Sequence, residues 1–481
     1  MNQNSKREEL TRRAALQAAL SLSAVGVASR LGLPALARAA SVAASQRRFV
    51  FCYFPGGWDQ LLFLDPRDPD ADGGRYQDAN KATTLIETRY GSLQGGPFAP
   101  RVLRAGDLRF GPATERISQS QAAARLSKYA DRIAIVRGIN MGTLGHEIGM
   151  RYFLTARFPA GATARGSSLA TECAALQRSH LAIPVLSLGL ESYNEGYPGL
   201  YSAMRVDSID DLLVVLDRAA GLVEKDPVEA ALTDYARTRS HAKIEVYDRT
   251  SLIARMREAD EGARATLGAR LVDAFGFVSE MDAQSVATRA RYGFARGDAH
   301  GSGPAAAFAA TAIKRGVAQS VSVTLATLLD THAVGNPQHA DALNKGVSAL
   351  AALLDDLATS EAPPELQKLG GRTWLDHTTV LAFSEFARSP LFNPAGGRDH
   401  FLGNSCLLAG AGIAGGRVAG VSGAVGMGPC RYDYREGKVV PEGGDPITPE
   451  NIRATLLASA GLPTEADGLH AQPLRTLLAP A

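Results

Sequence analysis

Short apolar runs that end abruptly in polar, glycine-rich loops are the main pattern of this chain. The clearest run, 379–383, contains β-branched and aromatic residues, and Ser384, Glu385 and Arg388 follow it directly. A run of this length without polar alternation is typical of a strand buried on both faces of a sheet. The same pattern recurs along the chain, and we predict further strands at 47–54, 133–136, 183–188, 320–326 and 404–410.

Segments with apolar residues three or four positions apart predict helices between these strands. The strongest is 340–358, where Leu343, Val347, Leu350 and Leu354 form one apolar stripe. Weaker patterns predict helices at 118–129, 147–155, 171–178, 305–315 and 449–460, and a helical insertion or covering layer near 205–290. Strands that alternate with helices indicate an α/β fold, and we predict a single domain over 40–481.

The first 39 residues predict an export signal. Arg12 and Arg13 precede an apolar segment, 14–28, and Ala37-Arg38-Ala39 then supplies small residues suited to signal-peptidase cleavage. The uninterrupted apolar run is shorter than the ~20 residues that a membrane-spanning helix needs. We therefore predict a Tat-type signal peptide at 1–39, recognition by the Tat translocon, a periplasmic or secreted location, and no transmembrane segment in the mature chain.

Composition narrows the classes of function. Lys and Arg together number 51 against 49 Asp and Glu, and the chain has no basic run with interleaved aromatic residues, so nucleic-acid binding is excluded as a main function. Four cysteines in a chain of this length do not make a disulfide framework. With 45% hydrophobic residues, the chain can build a large core of its own.

Candidate chemistry follows the predicted strand ends. Ligands of open α/β sheets bind at the carboxyl ends of the strands, and Asp59 is the first carboxylate after the first strand. His146 opens the helix that follows the second strand. Both residues also have a structural interpretation, since Asp is equally suited to a turn or a helix N-cap and His146 could be a surface residue.

The later strands carry the densest polar segments. Carboxylates and neutral imidazoles are the ligand set that suits zinc and other first-row metals. A turn cap, solvated histidines and a surface ion pair between Glu385 and Arg388 are the structural alternatives. The spacing leaves open which of the two histidines after 320–326 is a ligand. The residues concerned are Asp330, His332 and His339 after that strand, and Glu385, Arg388, Asp399 and His400 after 379–383.

Five short motifs occur in a fixed order along the chain. They are 56–59 (GGWD), the segment from Arg137 to His146, 329–332 (LDTH), 384–388 (SEFAR) and 397–400 (GRDH). With the leader and the glycine-rich 408–416, they resemble the exported bacterial proteins known as domain of unknown function 1501. That family is similar to the alkaline phosphatase and sulfatase superfamily. The resemblance implies a three-layer α/β sandwich, with a largely parallel central sheet, helices on both faces and a metal site at the strand ends.

The same resemblance implies a metal-dependent hydrolase that acts on a small anionic phosphate or sulfate ester. Its divalent metal, with zinc as the first choice, would draw ligands from Asp59, Asp330, His332, His339, Glu385, Asp399 and His400. His146 and Arg388 would bind the substrate anion. Gly138 stands where relatives often have Ser, so Thr143 is the nearest hydroxyl for a nucleophile. No cysteine has the C-x-P-x-R context that sulfatases convert to formylglycine.

The missing serine supports an alternative from another class. The chain could be a non-catalytic, degenerate member of the fold that binds a ligand or a partner in the cell envelope. Spatial convergence of the named residues separates the two hypotheses, because a metalloenzyme needs its ligands within a few ångströms of one another.

Overall fold

The computed structural model describes residues 46–71, 73–118, 123–179, 181, 183–214, 274–465 and 469–480. The predicted signal peptide and most of the predicted helical layer near 205–290 lie outside these ranges, so both stay predictions. Within the described ranges, no helix combines the length and the apolar character that a membrane span requires.

Strands and helices alternate along the described chain. The strands are β1 (Arg48–Tyr53), β2 (Leu103–Ala105), β3 (Leu108–Phe110), β4 (Ile133–Asn140), β5 (Val185–Leu188), β6 (Met204–Val206), β7 (Ser320–Thr324), β8 (Thr378–Phe383), β9 (Ala387–Arg388), β10 (His400–Phe401), β11 (Gly403–Gly410), β12 (Arg417–Ala419), β13 (Arg431–Asp433), β14 (Lys438–Val439) and β15 (Asp445–Pro446). The α-helices are α1 (Lys81–Thr84), α2 (His146–Thr155), α3 (Leu169–Leu176), α4 (Ala283–Tyr292), α5 (Ser302–Lys314), α6 (Asn336–Thr359), α7 (Pro364–Gln367) and α8 (Pro449–Ser459).

An eight-stranded sheet forms the centre of the described structure, in the order β12-β4-β11-β8-β1-β7-β5-β6. All neighbouring strands are parallel except β11, which runs antiparallel to both β4 and β8. The predicted α/β architecture with a largely parallel sheet is confirmed.

Helices cover both faces of the sheet because the buried strands are apolar on both sides. In β1, Phe49 and Phe51 belong to a hydrophobic core shared with α2, α3 and α8. The intervening Val50 and Cys52 belong to a second core, shared with α5 and α6. Successive side chains of a strand point to opposite faces, so one continuous apolar run supplies both cores.

The directions of the strands place the loops that carry the candidate residues at one edge of the sheet. Because β11 is antiparallel to β4 and β8, those two strands run in the same direction as β1 and β7. The carboxyl ends of all four therefore lie at the same edge. β11 begins there, with Gly403 opposite Asn140 at the end of β4. The segment that precedes β11, which contains His400, is thus brought to the carboxyl ends of the parallel strands.

The structure corrects two local predictions. The helix predicted at 118–129 is a 3-10 helix at Leu126–Arg132, and its predicted first turn includes residues outside the described ranges. Ser127 donates to Glu115 and Tyr129 donates to Asp355, so tertiary contacts decide the conformation there. The second strand extends to Asn140 rather than ending at 136, because β11 continues to pair with it past Arg137.

Candidate metal centre

Loops after four strands meet at this edge, and a glycine permits their close approach. Gly56 follows β1 with a φ of +102°, and a Cβ added there would lie 2.5 Å from the backbone nitrogen of Asp330. Only glycine adopts such a conformation without strain while leaving room for the neighbouring backbone. The Gly56 amide also donates to Glu385 Oε1 at 2.7 Å, which ties the loop after β8 to the same place.

Three imidazoles at this edge have one ring nitrogen fixed by a hydrogen-bond acceptor. His146 Nδ1 lies 2.6 Å from Glu385 Oε1, and His332 Nδ1 lies 2.9 Å from Asp399 Oδ1. His400 Nδ1 lies 2.6 Å from the carbonyl oxygen of Leu144. Ionised carboxylates and carbonyl oxygens only accept, so each Nδ1 carries the proton and each neutral ring keeps its lone pair on Nε2.

The three Nε2 atoms surround one carboxylate oxygen. Asp330 Oδ1 is 3.5 Å from His146 Nε2, 3.1 Å from His332 Nε2 and 3.5 Å from His400 Nε2. The donor atoms of His146, Asp330 and His400 all lie within 4.8 Å of one another. Acceptors that hold the far nitrogen of a metal-ligating histidine are typical of metal sites.

One contact in this group calls for a positive charge. His332 Nε2 and His400 Nε2 are 3.0 Å apart, although both rings have their Nδ1 protons committed to acceptors. Two lone pairs repel at this distance unless a proton or a cation lies between them. His146, Asp330 and His400, with His332 Nε2 3.1 Å from Asp330 Oδ1, offer imidazole and carboxylate donors of the kind that suit a divalent ion such as zinc.

The ionisable groups of the site influence one another strongly. The hydrogen bond from His146 to Glu385 outweighs burial and raises the pKa of that imidazole. Burial, reinforced by the charge of Arg388, lowers the pKa of His400. Burial opposes ionisation of Asp330, but the hydrogen bond and charge of Arg388 prevail and lower the pKa of its carboxyl group. Asp330 is consequently an anion at neutral pH, and His400 is neutral.

Arg388 lies buried beneath this group, and all five of its N–H donors have partners. They point to Asp330 Oδ1 at 2.6 Å, His332 Nε2 at 3.2 Å and the carbonyl oxygens of Gly56, Gly57 and Arg398. Its side chain has no exposed surface, whereas that of Asp330 is 53% exposed. A substrate anion would have to displace Asp330 to reach Arg388, so its observed contacts are those of a residue that positions the carboxylate.

Asp59 and His339 form a separate, buried network beside the group. The Asp59 amide donates to His339 Nε2 at 2.9 Å, and His339 Nδ1 is 2.6 Å from Thr331 Oγ1. The Asp59 carboxylate accepts from the Leu61 amide at 2.9 Å and lies 2.8 Å from Arg398 Nε, without a well-aligned hydrogen bond to it. Each of these two predicted ligands would have to give up a present contact to reach a metal.

The remaining predicted residues have identifiable positions. Glu385 and Asp399 orient His146 and His332, and neither belongs to the closest donor group of the described residues. Thr143, the predicted nucleophile, accepts a hydrogen bond from the Gly145 amide at 3.1 Å, a contact that shapes the turn before α2. Within the described residues, no hydrogen bond joins its hydroxyl to the donor group.

A comparison with known protein families agrees with the family resemblance of the five motifs. Residues 46–463 fit the family described as protein of unknown function, DUF1501. The chain belongs to the DUF1501 family. No curated relative matches this DUF1501 protein.

Three solved structures with some likeness to this DUF1501 protein are distant from it. They include Ps i-CgsB bound to k-i-k-neocarrahexaose, with 9% identity, TM-score 0.33, and coverage of 89% of this chain and 75% of that chain. A phosphonate monoester hydrolase from Silicibacter pomeroyi has 13% identity, TM-score 0.31 and coverage of 72% and 69%. A protein bound to its substrate D-glucosamine-2-N,6-O-disulfate has 10% identity, TM-score 0.31 and coverage of 90% and 80%. These scores are too low to assign a site or an activity.

Several residues that build the site carry no signal in the sequence. The carbonyl of Leu144 and the amide of Gly56 are backbone groups, which every residue has. Asn393 donates to Asp399 Oδ1 and to the His332 carbonyl, both at 2.9 Å, and so fixes their relation. The N-P-x-G-G segment at 393–397 marked this loop as a turn, which is the one signal that pointed to it.

The buried position of His339 predicts a pH dependence of stability. Burial, with the charges of Arg388 and Arg398, lowers the pKa of His339 to about 4. In the unfolded chain the value returns to about 6.5, so the unfolded state binds the extra proton between these pH values. The free energy of unfolding should fall by up to ~1.4 kcal/mol per pH unit as the pH is lowered from 6.5 to 4. Urea unfolding at several pH values measures this slope.

The matched variant is His339→Gln, whose amide keeps an acceptor for the Asp59 amide but does not titrate. We expect a shallower slope than that of the unmodified protein. Equal slopes for the two proteins would show that His339 is not the group responsible.

Proposed function

We propose that this DUF1501 protein is an exported, metal-dependent hydrolase of phosphate or sulfate esters. The observation that supports this most directly is the common orientation of His146, His332 and His400 around Asp330 Oδ1. Each ring is held by a different acceptor, on a different loop. Holding three partly exposed histidine rings in fixed orientations costs free energy, and ligands held in this way are typical of metal sites.

The residues that support the donor group are buried, whereas the donor group itself is partly exposed. Arg388 and Glu385 have almost no exposed side-chain surface, whereas the side chains of Asp330 and His332 are 53% and 44% exposed. A rigid base with an open upper side is typical of catalytic metal sites, in which one position is left for water or substrate. A bound divalent ion would supply Lewis-acid stabilisation for the charge that develops on the ester.

The protein's own groups would orient the ligands of the ion. His332 is held by Asp399, and its Nε2 faces Asp330 and His400, so in this proposal the atom is a ligand rather than a base. Arg388 keeps Asp330 in place through a charge-assisted hydrogen bond. With water as the nucleophile, the position of Thr143 outside the group is no obstacle.

Metal content tests the proposal. The protein, matured at the predicted cleavage site and purified without chelators or metal-affinity resin, should contain about one zinc, manganese or iron ion per chain by elemental analysis. His400→Ala should lose most of this metal, because it removes one of the three closest donors. His470→Ala, which changes an exposed histidine far along the chain, is the control.

A protein that is metal-free and stays so after addition of these ions would contradict the proposal. A non-catalytic role in ligand or partner binding in the cell envelope would then be the better explanation.

A further inference from the structure

Each loop that carries a donor residue has an exposed aliphatic residue two positions along the chain from one of the site residues. Leu144 precedes His146 by two residues, and Leu402 follows His400 by two. Leu328 and Val334 flank the segment from Asp330 to His332 in the same way. All four side chains are among the exposed large hydrophobic residues of the described chain. We call these four residues the apolar collar.

Hydrogen bonds join the loops that carry these four residues. The Leu144 carbonyl accepts from His400 Nδ1, and the Leu402 carbonyl accepts from the Met141 amide at 3.0 Å. On the other side, the Arg398 amide donates to the Thr331 carbonyl at 3.2 Å. The loops that carry the collar are therefore held together by the contacts that hold the histidines.

Leu328 shows that the collar is maintained at a cost. Its side chain is 82% exposed, and its φ is +63°, a conformation that bulky residues rarely adopt. Leu85 and Ala156 also have positive φ, but each ends a helix and donates its amide to the last turn. Leu328 lies in an irregular segment after β7 and ends no helix. Strained residues of this kind concentrate at functional sites.

We infer that the substrate is an amphiphilic monoester, with an anionic phosphate or sulfate head and an aliphatic tail that lies across the apolar collar. This inference rests on the proposed function. The head would meet the donor group, which is too exposed to enclose a substrate, so the tail must supply much of the binding free energy. Three loops that each present an aliphatic side chain beside a ligand fit a tail better than a polar alcohol.

Alkyl ester series test the inference. With metal-loaded protein and substrates below their micelle concentration, kcat/KM should rise about two- to fourfold per methylene from methyl through butyl to octyl, for phosphates or for sulfates. Leu328→Asn should flatten this dependence, because asparagine accepts the left-handed conformation but contributes no apolar surface. Leu85→Asn, at an exposed left-handed leucine outside the collar, should leave it unchanged.

The possible failures are distinct. Equal hydrolysis of all chain lengths, abolished by removing the metal, would overturn the inference and leave the proposed function standing. If no ester is hydrolysed, calorimetry compares the binding of octylphosphonate and methylphosphonate. Tighter binding of octylphosphonate that depends on Leu328 supports the inference, and equal binding of the two compounds overturns it. Leu328-dependent binding to vesicles of neutral phosphatidylcholine, or Leu328-dependent self-association in gel filtration without any chain-length effect, would also overturn it.

Discussion

Asp330→Ala should reduce both metal affinity and ester hydrolysis by at least ~10²-fold. Asp330 Oδ1 is the atom around which the three Nε2 atoms are arranged, and it supplies the only negative charge within the closest donor group of the described residues. Removing a group that orients a metal ligand typically costs 10–100-fold in affinity or activity, so loss of a direct ligand should cost about that or more. Elemental analysis, metal titration and kcat/KM measure the effect.

Two further variants test separate points: one removes the charge of Asp330 and keeps its shape, and the other changes an orienting residue instead of a ligand. Asp330→Asn keeps an acceptor for Arg388, so it should fold as the unmodified protein does and still bind metal poorly. Asp399→Asn changes a residue that orients His332 and lies outside the closest donor group of the described residues, so metal affinity should fall less, by about 10-fold. If Asp399→Asn and Asp330→Asn lose metal equally, the assigned difference between ligand and orienting residue is wrong.

Arg398→Met should lower the free energy of unfolding by about 3–5 kcal/mol. Asp59 and Arg398 form an ion pair in which both side chains are 3% exposed, and Arg398 also donates to the Glu87 and Ser389 carbonyls. Removing one member leaves the other as an uncompensated buried charge, which is the main source of the cost. Asp59→Asn together with Arg398→Met should cost less than the sum of the two single changes. Denaturant unfolding of the four proteins measures this coupling.

The same change should weaken metal binding, because the ion pair lies against the site. The Arg398 carbonyl accepts from Arg388, and its amide donates to Thr331 beside His332. The pair of Glu172 and Arg453 is similarly buried and joins α3 to α8, outside the loops that carry the donor group, so Arg453→Met is a matched control. We expect comparable destabilisation from Arg453→Met and unchanged metal content in the remaining folded protein. Loss of metal in both variants would mean that general destabilisation explains it.

Local patterns determined most of the fold. The six predicted strands occur within a few residues of their predicted bounds, because buried strands in a parallel sheet are apolar on both faces and so form recognisable runs. α6 was equally clear from its apolar stripe, although it begins at Asn336, before the first periodic residue, with Pro337 in its first turn. The segment at 118–129 was not predictable, because contacts of Ser127 and Tyr129 with distant carboxylates decide its conformation.

The candidate site, like the fold, was only partly predictable from the sequence. The sequence by itself determined which residue types follow the strand ends, and the rule that ligands meet at those ends brought His146, Asp330, His332 and His400 into one hypothesis. It could not separate Asp330 from Asp59, since both are the first carboxylate after a parallel strand. Only the tertiary structure decided that Arg398 holds Asp59 in a buried pair while Asp330 faces three imidazoles, because partners distant in the chain fix the environment of each carboxylate.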